Sequence, residues 1–415
     1  MRDDLDNEIR KYKLDALLLL FADKSREMFY AGKAFEKVRL TPAFEQILPV
    51  WGLAELSYRA IRNSNDYRAH DPKSADVLKL NNLLAKVTDE KAGCSLSGGD
   101  EDQAKATVFV GLPQTQMWWQ DMARNRAGIV YHFLRQFLLL AEMPKSFPEL
   151  KSPDVDLKKI TGFGIEDFSR LLFSCYVWIL SAPSSEISML KNVDKKITDY
   201  CPIVTMSNIN KCIGYFTGDY RYYRNDSHLN NPLFFRPIIQ TDTKRLIVSN
   251  TFLLAKKFYE GIYWIIRDKY MTGNSQSFVN ACGRYYEKYI ETLLAYYLKP
   301  ETYRKISDAE GGADWIIDTG KYCIIVEQKS SLMSIRLKAE YPPIKEIREY
   351  LKSFNEACAQ LRKTGKNLTQ EKRSVIKLIL HSEKLYFKEP FFKPQLLKLS
   401  GNHTDRLKRY YLIDT

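Results

Sequence analysis

Apolar residues in the first 225 positions recur about every 3.6 residues or form short uninterrupted runs, and both patterns predict helices. The predicted helical stretches are Leu14–Phe21, Phe44–Ile61, Val77–Val87, Met117–Ala141, Ile165–Leu180 and Ile187–Asp199. Turn-forming residues interrupt them at Lys91–Gln103 and Met143–Asp154. We therefore predict a mostly helical region over residues 1–225. The pattern does not indicate the role of this region.

We interpret residues 226–274 as a connecting segment that ends in a helix over Leu246–Tyr270. A basic and aromatic run, Arg221–Ile239, overlaps the start of this segment. Aromatic rings stack on bases and arginines contact phosphates, so Arg221, Arg224 and Arg236 are candidates for nucleic-acid binding. The alternative is a loop that packs its Tyr and Phe side chains into the core.

The pattern changes after residue 274, because short β-type runs now alternate with two helical stretches. The predicted elements are a helix at Gln276–Leu298, strands at Tyr303–Ser307, Asp314–Ile317 and Tyr322–Glu327, a helix at Ile344–Arg362, and strands at Ser374–His381 and Tyr410–Ile413. The order α-β-β-β-α-β predicts an α/β core over residues 275–415. The chain as a whole is then α+β or α/β.

Composition is typical of a soluble globular protein, with 45% hydrophobic and 27% charged residues. The apolar runs are too short to cross a bilayer, and the acidic N-terminus does not resemble a secretory signal, so we expect a cytoplasmic protein without membrane contact. Seven dispersed Cys residues without a Cys-x-x-Cys pair, and His residues without metal spacing, argue against disulfides and zinc.

The net charge of +13 is concentrated near the C-terminus, where residues 361–415 hold 13 basic and 5 acidic residues. Such an excess favours a polyanionic partner, although a solvated basic face gives the same count. The chain has no Gly-x-x-x-x-Gly-Lys-Ser/Thr sequence. Any ATPase that acts with it would be a separate subunit.

Glu327-Gln328-Lys329 is an acid-x-Lys triplet at the end of a buried strand. The triplet alone carries little information, because it recurs at Asp71/Lys73, Asp89/Lys91, Glu149/Lys151, Asp156/Lys158, Asp194/Lys196 and Asp242/Lys244. Strand geometry places Glu327 and Lys329 on one face. If Thr319 and Gly320 are the central residues of the preceding turn, Asp314 faces Ile325 and shares that face. Asp318, at the turn, is a weaker substitute for Asp314.

These residue types suit phosphodiester hydrolysis. Mg²⁺ held by two carboxylates and a backbone carbonyl, here that of Gln328, can activate water and stabilise charge on the phosphoryl oxygens. A lysine on the same face can orient the water or offset developing negative charge. We therefore predict a site for Mg²⁺, with Mn²⁺ as a substitute.

At these residues the chain resembles the PD-(D/E)XK, or restriction-endonuclease-like, nuclease superfamily. The resemblance covers about 140 residues and rests on Gly283-Arg284-Tyr285-Tyr286-Glu287, Ala313-Asp314-Trp315-Ile316-Ile317, Ile324-Ile325-Val326-Glu327-Gln328-Lys329 and Glu356-Ala357-Cys358-Ala359-Gln360-Leu361. It departs from the literal motif at Ala313, where Pro would stand. The resemblance implies that Asp314 and Glu327 bind metal, that Lys329 is the catalytic lysine, and that Glu287 and Gln360 assist.

The resemblance further implies a metal-dependent deoxyribonuclease, an endonuclease more than an exonuclease, with a layout similar to restriction and anti-phage effectors. Its expected partners are DNA, a separate ATPase or sensor subunit and, for double-strand cutting, a second copy of the chain. Two alternatives remain open at this stage. One is a nucleic-acid-binding or scaffolding module with an inactive nuclease fold, and the other is a purely helical interaction protein.

Overall fold

A computed structural model of the chain describes residues 2–41, 44–97, 101–188, 193, 195–225, 231–270, 275–307, 310, 312–330, 343–369, 374–383 and 411–414. The chain divides into two units. Unit 1 comprises residues 1–93, 119–142 and 151–275, and unit 2 comprises residues 94–118, 143–150 and 276–415. Strands and helices are both present, which confirms a mixed α+β fold with a helical N-terminal region and excludes a purely helical protein.

Up to residue 270 the elements are α1 (Arg2–Ile9), α2 (Leu14–Tyr30), β1 (Phe35–Thr41), β2 (Phe44–Pro49), α3 (Val50–Asn63), α4 (Ser74–Ser97), α5 (Glu101–Ala106), α6 (Leu112–Arg124), α7 (Ala127–Phe137), α8 (Pro153–Thr161), α9 (Ile165–Ser181), α10 (Lys195–Tyr200), α11 (Met206–Gly214), β3 (Thr217–Asp219), α12 (Tyr220–Arg224), β4 (Ile238–Gln240), β5 (Leu246–Val248) and α13 (Thr251–Tyr270). Single π-helical segments lie at Thr107–Gly111 and Leu138–Glu142, and 3₁₀ turns at Met143–Ser146 and Pro232–Phe234.

Helix α13 lies at the core of unit 1, since Phe252, Phe258 and Ile262 are all buried. The Phe258 ring stacks on Phe133 of α7 and on Tyr176 of α9, with centroid distances of 4.5 and 4.3 Å. Stacked aromatic rings at such distances add to the stabilisation that burial alone provides. Residues 226–274, which we interpreted as a connecting segment, belong to unit 1.

Several boundaries in unit 1 were wrong. Residues 44–49 form a strand, because they pair antiparallel with β1. Leu246–Val248 likewise forms a strand, which pairs with β4. The long helix predicted from Met117 is interrupted between Arg124 and Ala127, and the part of Ile187–Asp199 that the structure describes is helical only from Lys195. For the two strands, the apolar residues continue directly into the following helix, so their spacing did not reveal the change of element.

Unit 2 contains α14 (Ser275–Tyr297), a 3₁₀ turn (Pro300–Thr302), β6 (Tyr303–Lys305), β7 (Trp315–Asp318), β8 (Tyr322–Lys329), α15 (Ile344–Thr369), β9 (Ser374–His381) and β10 (Tyr411–Asp414). Its mixed sheet has the strand order β10-β9-β8-β7-β6. Strands β6, β7 and β8 are antiparallel neighbours, whereas β8, β9 and β10 are parallel. The predicted elements of this part are therefore present, with ends that differ by a few residues.

Helix α15 covers one face of this sheet. Its buried residues Leu351, Phe354 and Leu361 share an apolar cluster with Ile325 of β8 and Ile379 of β9. Burial of apolar area at roughly 25 cal/mol per Å² makes such a cluster the main stabilising contribution to the unit. The packing fixes α15 against the strand that carries Glu327 and Lys329.

The two central residues of the β7–β8 turn lie one position later in the chain than predicted. Thr319 donates its N–H to the carbonyl of Tyr322 at 2.9 Å, so Gly320 and Lys321 are the central residues. Gly320 has φ +78°, a left-handed conformation that glycine adopts without strain. Trp315 consequently pairs with Val326, two residues from the predicted register. A shift of two leaves every side chain on its predicted face, because the side-chain period of a strand is two.

Candidate functional site

Asp314 directly precedes β7, and the chain before it is held against α15. The N–H of Ala313 donates to Thr364 Oγ1 at 2.9 Å. Gly312 has φ +125°, and a Cβ atom at this position would overlap Thr364 Oγ1. Asp314 Oδ2 accepts the backbone N–H of Gln328 at 2.7 Å, which links the start of β7 to the end of β8. The Asp314 carboxylate is thus placed beside the acid-x-Lys triplet.

Glu327 and Lys329 form an ion pair on β8, with Lys329 Nζ 2.8 Å from Glu327 Oε1. Glu327 is only 1% exposed, and its second oxygen, Oε2, is buried without a hydrogen-bond partner. Burial, and to a smaller extent repulsion from Asp314, raises the pKa of Glu327 to about 7. This carboxyl group is therefore close to half-protonated at neutral pH without a bound cation.

The pKa of Asp314 depends on several charged groups around it. Burial raises the pKa of Asp314, while the hydrogen bond from Gln328 and the positive charge of Lys329 oppose that rise. Glu287 raises the same pKa, and Lys305 lowers it. Asp314 in turn raises the pKa of the buried Glu327. Repulsion between carboxylates in a buried site is relieved by a bound cation.

Gln360 of α15 reaches the triplet, with its Oε1 3.3 Å from Lys329 Nζ. Its neighbours Ala357, Cys358 and Leu361 are buried against the sheet, so the apolar side of the helix turns Gln360 towards β8. The Lys329 ammonium, in a side chain that is 19% exposed, therefore has two acceptors, one from the strand and one from the helix.

Glu287 of α14 is paired with Lys305 of β6. Lys305 was not among the residues that the sequence suggested, since a lysine on a short strand carries no distinctive signal. Both charges act on Asp314, since Glu287 raises the pKa of its carboxyl group and Lys305 lowers that pKa.

Gln328 and Asp318 have structural partners. The Gln328 side-chain Oε1 accepts the indole N–H of the buried Trp315 at 3.2 Å, on the face opposite to Glu327. Asp318 Oδ1 accepts the N–H of Gly320 at 2.8 Å and so stabilises the turn. This bond gives Asp318 a structural function at the turn.

His381 was also not singled out from the sequence, although it is paired in register with Lys329 and is fully buried. Its Nε2 lies 2.9 Å from the Tyr350 hydroxyl, and its ring stacks on Phe354 at 5.6 Å. Nδ1 accepts the N–H of Glu383 at 3.0 Å in the tautomer that protonates Nε2. The contacts join β9 to α15 beside the candidate site.

The three arginines of the basic and aromatic run lie in unit 1. Arg224 donates to the carbonyls of Ile61 and Ser64, and Arg236 donates to the Thr217 carbonyl at 3.3 Å and lies over a tyrosine ring. Arg221 is exposed. Within the run Tyr223 is buried, as the core-packing alternative expected. Nucleic-acid binding by these arginines stays a prediction.

The donor set fits a hard divalent cation. Among the described residues, no group of three or more His, Cys, Asp and Glu side chains is arranged as a metal site. Mg²⁺ does not require one, because it keeps several waters and binds through one or two carboxylates. Asp314 and Glu327 provide two, and the unpartnered Oε2 of Glu327 is a buried acceptor that a cation would satisfy.

Comparison of the chain with protein-family models, curated proteins and solved structures gives no significant match. None of the helices that the structure describes combines the length and the apolar character that a bilayer crossing needs.

Proposed function

We propose that unit 2 is a PD-(D/E)XK-type, metal-dependent nuclease core that hydrolyses DNA. The observation that carries the proposal is Glu327, a buried carboxylate with a lysine on one oxygen and no partner on the other, beside a second raised-pKa carboxylate. Perturbed carboxylates that share a site with a lysine are typical of catalytic centres.

Asp314 and Glu327 would hold Mg²⁺, or Mn²⁺ in its place, together with the backbone carbonyl of Gln328. When bound, such an ion activates water and acts as a Lewis acid. Lys329, held by Glu327 and Gln360, would present its ammonium group to the phosphoryl oxygens and offset their developing charge. Glu287 would act as an auxiliary acid beside Asp314.

DNA is the substrate that the basic excess and the resemblance favour together. Much of the excess falls in residues 384–410, outside the described residues. The proposal also includes endonucleolytic cleavage and a role in restriction or anti-phage defence. It further includes dimerisation, cooperation with a separate ATPase or sensor subunit, and a cytoplasmic location. The competing function is a nucleic-acid-binding or scaffolding module with an inactive nuclease fold.

The test is cleavage of plasmid, linear duplex and single-stranded DNA and of RNA, each with Mg²⁺, with Mn²⁺ and with chelator. We expect DNA cleavage that requires the metal and falls about a thousandfold in Glu327→Ala, because a Lewis acid supplies several kcal/mol. For Lys329→Ala we expect a loss of about a hundredfold or more.

Glu356→Ala is the matched control, since this glutamate is exposed on α15 one turn before Gln360. It should cleave as the unchanged protein does, and circular dichroism should show that all three variants are folded. Cleavage that survives both site substitutions would refute the assignment. Binding of DNA without cleavage in any metal would favour the inactive module.

A further inference from the structure

Helices α7 and α9 of unit 1 expose a group of large apolar side chains, which we call the apolar stripe. Its members are Val130, Leu134 and Leu138, spaced by about one turn along α7 and the π-helical segment after it, and Phe173 and Val177 on α9. Each of the five is between 38% and 52% exposed. Exposed apolar residues that lie together, unlike those scattered singly, mark interaction surfaces.

The two rows of the apolar stripe lie side by side, because α7 and α9 are antiparallel neighbours. In the middle, the ring of Phe133 on α7 contacts the ring of Phe173 on α9, with centroids 5.9 Å apart. At one end, Arg126 donates to the Tyr30 carbonyl, and the Tyr30 hydroxyl donates to the Leu180 carbonyl. The start of α7 therefore lies near the end of α9, and the two rows form one surface.

The charge of this surface favours a second copy of the chain as its partner. The exposed side chains of the described segment from Ala127 to Leu138 are all uncharged, so they offer nothing to bind phosphate. The chain carries a net charge of +13, and two copies therefore repel each other except where uncharged surfaces meet. In a two-fold contact the same surface of both copies is used, so the apolar stripe would meet itself.

The charges at the two ends of α7 favour one orientation of that contact. Arg124 and Arg126 are exposed just before α7, and Glu142 ends the π-helical segment that follows it. An antiparallel contact between two α7 helices places the basic end of each copy beside the acidic end of the other. A parallel contact would place like charges together. The opposite partial charges of the two helix ends favour the antiparallel contact as well.

On these grounds we propose that the apolar stripe is the interface of a two-fold homodimer, in which α7 packs antiparallel on α7 of the second copy. Stable interfaces bury about 800 Å² on each partner and have an apolar centre with a polar rim. The stripe would be the centre, and the charged ends of α7 would belong to the rim. The interface locates the dimerisation that the proposed nuclease function includes, and its consequence for cleavage rests on that function.

The test is sedimentation equilibrium of the 415-residue chain over a concentration series. We expect a dimer for the unchanged protein. Leu134→Glu and Val177→Glu should each weaken it about a hundredfold or more, because each would bury an unpaired charge in the apolar centre. Arg124→Glu should weaken it about fivefold, because an exposed ion pair contributes little.

Ile197→Glu is the matched control for Val177→Glu. Ile197 is also β-branched, lies on a helix of the same unit, α10, and is equally exposed at 46%, but it is not part of the apolar stripe. The dimer should be unchanged in this variant. Circular dichroism should show that all four variants are folded, which is expected because every substituted side chain is exposed.

Three results would overturn the interface: a chain that is monomeric throughout, an open series of larger oligomers, or a dimer that tolerates both Leu134→Glu and Val177→Glu. Equal weakening by Ile197→Glu would also overturn it, because added charge alone would then explain the loss. A tighter dimer in Arg124→Glu would contradict the antiparallel contact.

Plasmid cleavage separates this proposal from the nuclease function. A dimer that cleaves no DNA in any metal would uphold the interface and refute the nuclease. A monomer that cleaves DNA would do the reverse. If both proposals hold, the Leu134→Glu monomer should accumulate nicked plasmid where the unchanged dimer produces linear plasmid, because one site cuts one strand.

Discussion

Among the residues that the structure describes, the most deeply buried carboxylates are Asp156 in unit 1 and Glu327 in unit 2, and their hydrogen-bond partners differ. In unit 1, Asp156 is 1% exposed and accepts hydrogen bonds from Lys151 at 3.0 Å, from Lys269 at 3.2 Å and from the Tyr270 hydroxyl. In unit 2, Glu327 is equally buried, has one lysine and leaves an oxygen unpartnered.

The proton affinities of the two groups follow from these partners. Burial acts to raise the pKa of Asp156, but the bonds from Tyr270 and the two lysines hold that pKa below its usual value. At Glu327 burial prevails and the pKa rises to about 7. A buried acid with a full set of donors stabilises a fold, whereas one with a free oxygen costs stability and is suited to bind something.

The largest effect on stability should come from Asp156→Asn. The substitution removes the charge that three donors share, and we expect the free energy of unfolding to fall by about 3 kcal/mol, since hydrogen bonds to charged groups are among the strongest. Urea denaturation measures this value. DNA cleavage per folded molecule should not change.

Glu166→Gln is the control for that comparison. Glu166 forms an exposed ion pair with Arg170 within α9, and such pairs contribute less than 1 kcal/mol. If Asp156→Asn were no more destabilising than Glu166→Gln, the contrast between the two buried carboxylates would not hold.

A second, smaller effect should appear in the pH dependence of stability without metal. Because the pKa of Glu327 is raised above its usual 4.5, the folded state binds more protons than the unfolded state between about pH 4.5 and 7. Stability from this group is then present at low pH and is lost as the pH rises through 7. Asp156 contributes in the opposite sense, because its lowered pKa gives stability above the unfolded value that is lost in acid.

Glu327→Gln isolates this contribution, because glutamine does not titrate. Between pH 5 and 7.5 we expect the unchanged protein to lose about 2 kcal/mol more stability than the variant, as one pKa unit corresponds to about 1.4 kcal/mol. Mg²⁺ should reduce the difference by binding the ionised carboxylate. Parallel pH profiles for the two proteins would show that Glu327 has an ordinary pKa.

The smallest effect should come from Gln360→Ala, which removes one of the two acceptors of Lys329. We expect kcat for DNA cleavage to fall about tenfold with little change in KM, since a hydrogen bond to a charged group contributes about 1.5 kcal/mol. Gln360→Glu, which retains an acceptor, should restore much of the rate. A loss of stability without this separation of kcat from KM would indicate a purely structural residue.

The sequence predicted the described elements of residues 275–415 well, because the strands there are rich in β-branched residues and are separated by turn residues. The parity that puts Asp314 with Glu327 and Lys329 survived an error in the turn, since that error moved the register by an even number of residues. Strands β2 and β5 were missed because each continues directly into the apolar pattern of a helix, and only pairing with a distant strand identifies them.

The side-chain partners at the site could not be predicted from the sequence. Nothing in the spacing of Glu287 and Lys305 indicates that they pair, because the contact depends on how α14 approaches β6. The sequence likewise does not predict that Glu327 Oε2 has no hydrogen-bond partner, because this depends on which donors the fold places near it. Gln360 was found through the resemblance alone, and the packing of α15 explains why it reaches Lys329.

Gln360 and Thr364 are four residues apart on α15, and one bonds to Lys329 while the other holds the chain before Asp314. An α-helix turns by about 100° per residue, so one inserted residue just ahead of Gln360 would turn both side chains away from the sheet together. Such an insertion lies about thirty or more residues from Asp314, Glu327 and Lys329 in the sequence, and yet it would release both the lysine and the aspartate. Length variation in this helix is therefore a more effective way to lose the site than most substitutions within it.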